Sequence, residues 1–375
     1  MKVFIGLVLG AIAGLIVGWF IIDAGDIGLG GPATVAESTG GESEAPAAAS
    51  QASVRWRMAS TFGSQWPIQG EEGLHLIDTL DKISNGNIKI QFFEPGALVP
   101  ALEVFDAVSA GSVDAGWSTS GYWAGKIPAA QFYTAVPFGP EVKEYLAWLY
   151  QGGGEEMFQE IYARHNIYGL HCGLHSPEGS GWFREPINSI DDLKGLKMRF
   201  FGLGARVMEK LGVSTQLLAG GDIFPALELG TIDATEYSMP AIDLNQGFYQ
   251  IAKHYYFPGW HQPTSLFELL INMDRWNALT DVQQAQIKAA CDANYTYGTA
   301  LSEASQADAL EKLKEHGVVF HEWPPEILDA LRNGWQEVAA EEAAKDEDFA
   351  RVWESLQAFR DRYAQWRRLG YLKED

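Results

Sequence analysis

Leu193-Lys-Gly-Leu-Lys-Met-Arg199 and Gly230-Thr-Ile-Asp-Ala-Thr-Glu236-Tyr237 are the two motifs that decide the fold of this chain. The first predicts a loop that runs into a short strand and delivers Arg199 at its end. The second predicts a helix stopped by its glycine, and then a strand that ends on Glu236 beside Tyr237. An arginine and a carboxylate presented from two strand ends can hold a small carboxylate ligand and a cation between them. The pattern therefore indicates capture of a ligand and not catalysis.

The chain before these motifs alternates strand patterns with helix patterns. Such alternation, with mostly short connections, predicts an α/β body. The predicted elements are a strand at 54–59, a helix through Leu74, Ile77 and Leu80 that ends near Gly86, a strand at 87–93, and a helix through Leu102, Phe105 and Val108.

Residues 105–118 and 224–238 resemble each other, because each contains an apolar helix, a glycine and then a strand beginning with an aspartate. The glycine suits the left-handed position after a helix. In the second unit we expect Asp222 to be the N-cap and Pro225 to lie in the first helical turn. Either the two units form two similar α/β lobes, or the likeness is coincidental.

Composition excludes several classes of function. The 375 residues are 47% hydrophobic, which is ample for a large core and about two lobes. The formal net charge of -22 argues against nucleic acid as a partner, since phosphate binding requires a basic stripe. Two cysteines, Cys172 and Cys291, are too few for a disulfide framework or a four-cysteine zinc site, although they could form one bridge.

The N-terminus contains an uncharged apolar run at 3–22, long enough to span a bilayer, with Lys2 before it and acidic residues after it. We favour an uncleaved membrane anchor over the alternative, a signal peptide cleaved near Ala11-Ile-Ala13. Residues 23–53 are rich in small and polar side chains and should form a flexible tether. The folded body should begin near Val54.

The C-terminal segment 325–370 shows large apolar residues three or four positions apart, which predicts long amphipathic helices. Their apolar face could cover the lobes of the same chain or a second subunit. The residues are Leu328, Leu331, Trp335 and Val338, and then, after a break near 345–346, Phe349, Val352, Trp353, Leu356, Phe359, Tyr363 and Trp366.

The two opening motifs, together with Gly220-Gly-Asp-Ile-Phe-Pro-Ala-Leu-Glu228 and Tyr255-Tyr-Phe-Pro-Gly-Trp260, resemble the solute receptors of tripartite ATP-independent periplasmic (TRAP) transporters. The resemblance covers roughly 54–371 and is closest to the branch that binds 2-oxo monocarboxylic acids, so the expected ligand is a 2-oxo or 2-hydroxy monocarboxylate bound with a cation between two closing lobes. It implies a two-lobe, periplasmic-binding-protein-like α/β fold with a hinge and long C-terminal helices.

The resemblance also implies a periplasmic location, a membrane permease as partner, and a homodimer joined through the C-terminal helices. The expected segments are an anchor or signal at 1–22, a tether at 23–53, lobe I at 54–175 with returning segments after 260, lobe II at 176–259, and the C-terminal helices at 325–370.

Site roles follow from the same resemblance. It assigns Arg199 to the substrate carboxylate, and Glu236 with Tyr237 to a metal ion bridged to the substrate. Where the branch typically has glutamine this chain has Glu178, and where it typically has glutamate this chain has Gln262. Glu178, Gln262 and Tyr237 are expected to bind substrate, and Glu178 also to bind the metal.

These assignments leave the choice of cation open. Two glutamates, one arginine and a monocarboxylate leave a charge of -2, which favours Ca²⁺, whereas the family analogy favours Na⁺.

Other functional classes fit the sequence less well. A metal-assisted lyase or hydrolase would need a general acid or base, and no histidine lies between Arg199 and Tyr237. On a strand, alternation places Leu170, Cys172 and Leu174 on one face and both His171 and His175 on the other, which argues against a zinc or Cys/His site. A sensory receptor acting through a partner protein remains an alternative. Four tryptophans could line the cleft, although each fits the core better: Trp66, Trp117, Trp123 and Trp182.

Overall fold

The computed structural model describes residues 52–175 and 177–372. The strands are β1 (Val54–Ser60), β2 (Ile88–Phe93), β3 (Ala115–Ser118), β4 (Ile167–His175), β5 (Gly181–Phe183), β6 (Lys197–Arg199), β7 (Ser214–Gln216), β8 (Ala234–Thr235), β9 (His254–Phe257), β10 (Ser265–Asn272) and β11 (Val319–Glu322). The helices are α1 (Gln69–Ile83), α2 (Val104–Ser109), α3 (Val142–Gln151), α4 (Gly154–Ala163), α5 (Gly202–Lys210), α6 (Gly220–Glu228), α7 (Pro240–Gln246), α8 (Met273–Asn277), α9 (Asp281–Glu315), α10 (Pro325–Ala343) and α11 (Glu347–Gly370).

The strands form two sheets, and we call the part of the chain built on each sheet a lobe. Lobe I contains the order β2-β1-β3-β10-β4, and lobe II the order β11-β9-β5-β8-β6-β7. In lobe I, β1 is parallel to β2 and β3, whereas β10 is antiparallel to β3 and β4. The segment after 260 returns to both lobes, since β10 joins the first sheet and β11 the second. The predicted α/β class and its two lobes are confirmed.

The internal repeat is present in both lobes. Gly111 after α2 and Gly230 after α6 both have positive φ angles, of 72° and 71°, which glycine adopts without steric cost. The next strand begins in each case beyond an aspartate. Asp114 accepts a hydrogen bond from the backbone N–H of Arg57 at 2.8 Å, and Asp233 accepts one from the N–H of Lys197 at 2.9 Å. Each lobe therefore uses the same unit to fasten a strand to its neighbour.

The expected N-cap of the second unit is wrong. Helix α6 begins at Gly220 after Ala219, so that Asp222 lies within the first turn and Pro225 inside the helix. The N-cap residue Ala219 provides no side-chain hydrogen bond, and the Asp222 carboxylate instead lies near the positive end of the helix dipole.

A β-bulge in β4 changes the predicted alternation around Cys172. The pairing of β4 with β10 shifts between Phe267 and Glu268, so Cys172 is the extra residue. Leu170 and Cys172 share one apolar cluster, but Leu174 packs in another. The prediction that one face carries all three is therefore wrong. Cys172 forms a disulfide with Cys291 of α9, which settles the open question of their pairing.

The C-terminal helices cover the chain's own lobes. Helix α10 packs against α5 of lobe II, and α11 packs against α3, α4 and the turn at Pro128–Tyr133 of lobe I. Trp335, Val338 and Phe349 are fully buried in this apolar cluster. Within α10 and α11, large apolar side chains are exposed only in the last turns of α11, where Trp366 and Leu369 lie. Of the two alternatives, covering the same chain is the one that the structure shows for most of this face.

The predicted anchor at 3–22 and most of the predicted tether lie outside the described residues. Within 52–175 and 177–372, the structure contains no helix that is both long and apolar enough to cross a membrane.

Candidate functional site

Arg199 and Glu236 meet at the edge of the lobe II sheet. Strands β6 and β8 are parallel neighbours, and Arg199 pairs with Thr235, so the residue after β8 lies beside the guanidinium. Nη1 of Arg199 donates to Glu236 Oε1 at 2.7 Å and to the Glu236 carbonyl at 3.0 Å. The guanidinium Nε also donates to the carbonyl of Leu218 at 3.2 Å. Both charged side chains are almost completely buried, which is tolerable because they pair.

Glu236 is held in its ionised form. Burial alone raises its pKa, but the Arg199 guanidinium, the His261 ring and the Phe201 N–H together bring the pKa of Glu236 below its usual value. The Phe201 N–H and Arg199 both donate to Oε1. The second oxygen, Oε2, has no hydrogen-bond partner among the described residues.

Glu178 and Gln262, the two positions where the chain departs from the branch it resembles, are in direct contact. Glu178 Oε1 accepts hydrogen bonds from Gln262 Nε2 at 3.1 Å and from Ser265 Oγ at 2.9 Å. Burial, followed by the nearby charge of Glu236, raises the pKa of Glu178 well above its usual value. Relative to the branch that the chain resembles, the carboxylate and the amide are thus swapped between two positions whose side chains are hydrogen-bonded to each other.

Glu178, Glu236 and His261 form a buried cluster in which each residue offers one atom, all within 4.8 Å of one another. His261 Nε2 lies 3.4 Å from Glu236 Oε2 and 3.8 Å from Glu178 Oε2. The corners of a triangle with sides of 4.8 Å lie about 2.8 Å from its centre, so an ion centred among these three atoms would lie close to the distances at which Ca²⁺ binds oxygen.

The two carboxylates of this cluster fit a hard cation, whereas the His261 nitrogen is not a ligand that Ca²⁺ or Na⁺ prefers. Within the part of the chain that the structure describes, the Oε2 atoms of both glutamates lack hydrogen-bond partners. Unpartnered buried carboxylate oxygens are costly, and a cation between them would compensate both. Sequence reasoning missed His261, and the one available signal was its position immediately before Gln262.

A small cavity lies beside this cluster, between the two lobes. Its volume is about 20 Å³, where a single water needs roughly 10–15 Å³. Arg199, Glu178 and Gln262 supply polar groups to its wall, and His175 also lines it. Five aromatic rings form much of the remaining wall: Phe62, Tyr122, Phe201, Tyr237 and Phe267.

The tryptophans singled out in the sequence do not line this cavity. Trp117, Trp123 and Trp182 are buried in the cores, which is the location that their sequence context favoured. Trp66 packs edge-on against the Tyr237 ring, with the ring centres 6.1 Å apart.

Tyr237 and Tyr122 complete the surroundings of the arginine. The Arg199 guanidinium lies 5.2 Å from the centre of the Tyr237 ring, and the Tyr237 hydroxyl donates to Gln69 Oε1 at 3.0 Å. Burial raises the pKa of Tyr122 to about 12, with Arg199 opposing the rise, so that its hydroxyl stays protonated at neutral pH.

Comparison with known proteins supplies the family. The sequence pattern described as bacterial extracellular solute-binding protein, family 7 (DctP), matches residues 59–346. The chain is 39% identical to the monocarboxylate 2-oxoacid-binding periplasmic protein of Nostoc sp. strain PCC 7120, over 85% of this chain and 87% of that protein.

Two solved TRAP solute-binding proteins have the same fold. The one from Bordetella bronchiseptica RB50, a mixed-occupancy dimer with copurified calcium and picolinate, is 34% identical with a TM-score of 0.81, over 84% of this chain and 94% of that chain. The one from Pseudoalteromonas atlantica T6c, with bound sodium and pyruvate, is 33% identical with a TM-score of 0.79, over 84% and 96%. The protein described above therefore belongs to the bacterial extracellular solute-binding proteins of family 7, the TRAP transporter receptors.

Proposed function

We propose that this chain captures a small 2-oxo monocarboxylate together with a cation and presents it to a TRAP permease. The observation that carries the proposal is the juxtaposition of a buried arginine, Arg199, with the cluster of Glu178, Glu236 and His261. The relatives that bind pyruvate, picolinate or 2-oxoacids support this ligand class. The cavity is small, which argues against a large solute.

Arg199 acts as the carboxylate clamp. Its Nη1 is already engaged by Glu236, so the remaining guanidinium N–H groups are the ones that meet the substrate. Because Glu236 fixes the guanidinium and keeps it from rotating, the clamp is oriented before the ligand arrives.

The cation lies between the free oxygens of Glu178 and Glu236, and a substrate oxygen completes its coordination. The Tyr237 carbonyl supplies a further ligand in this proposal, and the Tyr237 ring packs over Arg199. Gln262 orients Glu178 by donating to Oε1, which leaves Oε2 for the cation, and reaches the substrate from the cavity wall.

Charge balance favours Ca²⁺ when both glutamates are ionised. Glu178 and Glu236 with Arg199 and a monocarboxylate then carry -2, which one divalent ion neutralises. If Glu178 keeps its proton, the total is -1 and Na⁺ suffices. The relatives, which are solved with calcium or with sodium, are compatible with either state.

Further parts of the proposal concern the assembly. The receptor operates in the periplasm, tethered to the inner membrane by residues 3–22, and delivers its ligand to the membrane subunits of the transporter. A homodimer is proposed from the Bordetella relative's dimeric state and from exposed apolar side chains at the end of α11 and just after it, namely Trp366, Leu369 and Leu372.

A thermal-shift screen of the full chain tests the function. C2–C6 mono- and dicarboxylates are added with and without Ca²⁺ or Na⁺, to wild type, to Arg199→Ala and to the control Arg206→Ala, whose side chain is about half exposed in α5. A ligand at 100 times its Kd should stabilise the folded state by about 2.7 kcal/mol. We expect this stabilisation only when acid and cation are both present, and only in wild type and in the control Arg206→Ala. Stabilisation that survives Arg199→Ala contradicts the clamp.

A further inference from the structure

A short segment of lobe I, Trp66 to Gln69, reaches into lobe II. Ile68 is fully buried, and it packs in the apolar cluster that contains Trp182, Ile223 and Tyr237 of lobe II. Gln69 is the first residue of α1, which packs against β2 and β4 in lobe I. The segment is therefore attached to lobe I through helix α1, whereas the side chain of Ile68 packs in lobe II.

The backbone of Ile68 is strained. Its φ of 64° and ψ of -71° are those of a γ-turn, closed by a hydrogen bond from the Gln69 N–H to the Pro67 carbonyl at 2.7 Å. A β-branched residue rarely adopts positive φ, and such a conformation persists only where surrounding contacts impose it. The contacts that surround the Ile68 side chain are those of lobe II.

A hydrogen bond joins the lobes at the next residue. The Tyr237 hydroxyl donates to Gln69 Oε1 at 3.0 Å, and both residues line the ligand cavity. Tyr237 follows β8 in lobe II, whereas Gln69 moves with α1 in lobe I. Separation of the lobes breaks this bond and withdraws Ile68 from its cluster.

We propose that Ile68, Gln69 and Tyr237 form a latch that exists only in the closed receptor and sets how long the ligand is held; this inference rests on the proposed function. The latch stabilises closure without requiring any new contact to the ligand. Removing it should therefore accelerate ligand release and leave the rate of capture, which begins from the open receptor, unchanged.

The competing interpretation is that Ile68 is a permanent part of the lobe II core. In that case its truncation lowers the melting temperature, as any buried truncation does, and leaves the release rate unaltered. Release kinetics separate the two interpretations, whereas stability alone does not.

The test is stopped-flow tryptophan fluorescence on the full chain with pyruvate and Ca²⁺, comparing Tyr237→Phe and Ile68→Ala with wild type. Tyr256→Phe is the matched control, because its hydroxyl bonds to Ile187, within lobe II, at 2.6 and 3.1 Å. Loss of one hydrogen bond predicts a release rate about two to ten times faster for Tyr237→Phe. Ile68 is not among the residues that line the cavity, so Ile68→Ala also tests the capture rate: release should be at least about ten times faster, with the capture rate within about twofold.

Unchanged release in Tyr237→Phe and Ile68→Ala overturns the latch, as does an equal acceleration in Tyr256→Phe. If wild type binds no pyruvate with Ca²⁺, the proposed function fails for this ligand. The latch is then tested by measuring the distance between spin labels on the two lobes, which reports the fraction of closed receptor. Labels at Lys82→Cys on α1 and Leu229→Cys after α6 occupy exposed positions of different lobes. A closed population that shrinks in Tyr237→Phe supports the latch. A closed population that is unchanged, or that occurs in no condition, overturns it.

Discussion

Replacing Glu178 by glutamine removes one of the two carboxylates proposed to hold the cation and preserves the shape of the side chain. Glu178 Oε1 already accepts from Gln262 and Ser265, and an amide oxygen can accept the same two hydrogen bonds. The variant should therefore fold. What it loses is the negative charge at Oε2, which lacks a hydrogen-bond partner among the described residues.

The size of the effect follows from the charges. A unit charge about 4 Å from a divalent ion contributes roughly 8 kcal/mol at an effective dielectric constant of 20. The cost of desolvating the carboxylate offsets several kcal/mol of this gain. We expect a net loss of about 3 kcal/mol, or roughly 100-fold weaker Ca²⁺ binding in the presence of pyruvate. For Na⁺, with half the charge, the loss should be clearly smaller.

Isothermal titration of Ca²⁺ into protein saturated with pyruvate measures this loss. The double variant Glu178→Gln with Gln262→Glu restores the charge at the neighbouring position, 3.1 Å away in the present structure, and should recover most of the affinity. Unchanged Ca²⁺ affinity in Glu178→Gln would refute the assignment of Glu178 as a cation ligand. Failure of the double variant to recover would show that position, and not total charge, governs binding.

Three further predictions address the clamp, the pH dependence of stability and the disulfide. Arg199→Lys keeps the charge but loses the planar fork, so titration should show at least about tenfold weaker pyruvate binding, and equal affinity would contradict the clamp. Burial raises the pKa of Glu268 to about 7 from 4.5, so the folded protein keeps a proton that the unfolded chain loses. Wild-type stability should therefore fall relative to Glu268→Gln, by about 3 kcal/mol between pH 4.5 and 7 in urea unfolding, whereas parallel pH profiles would exclude this. Replacing Cys172 and Cys291 by serine opens a loop of 119 residues and should cost about 2–5 kcal/mol in the same assay, and an unchanged midpoint would count against the bond.

Much of the site could be predicted because its residues end strands. The strand patterns and the glycine that stops α6 predicted that Arg199 and Glu236 come from two strand ends, and the structure shows that these strands, β6 and β8, are neighbours. The proximity of Glu178 and Gln262 came from resemblance and not from spacing, since they are 84 residues apart. Contacts between residues so far apart in the sequence leave no periodic pattern from which a single sequence could predict them.

The features that were missed depend on tertiary geometry. A bulge at Cys172 cannot be read from an apolar strand, because it is set by the pairing with β10. His261 is a single histidine without a metal-ligand spacing, so only its position immediately before Gln262 marked it. Ile68 has no sequence signature for a positive φ, since its conformation is imposed by the lobe that surrounds its side chain.

Helix α9 runs along both lobes as one continuous element of 35 residues, about 52 Å long. Its first half is fixed to lobe I by the disulfide and by Asn294, which donates to the Cys172 carbonyl at 2.7 Å. Its second half meets lobe II, where Gln306 accepts from the Ala241 N–H at 3.0 Å.

Any change in the angle between the lobes must therefore bend this helix or slide a lobe along it. The serines at 302 and 305 donate to carbonyls of the preceding turn, a pattern that favours bending. An opening of the lobes would therefore have to flex α9 at 299–305, in a part of the helix that does not line the ligand cavity.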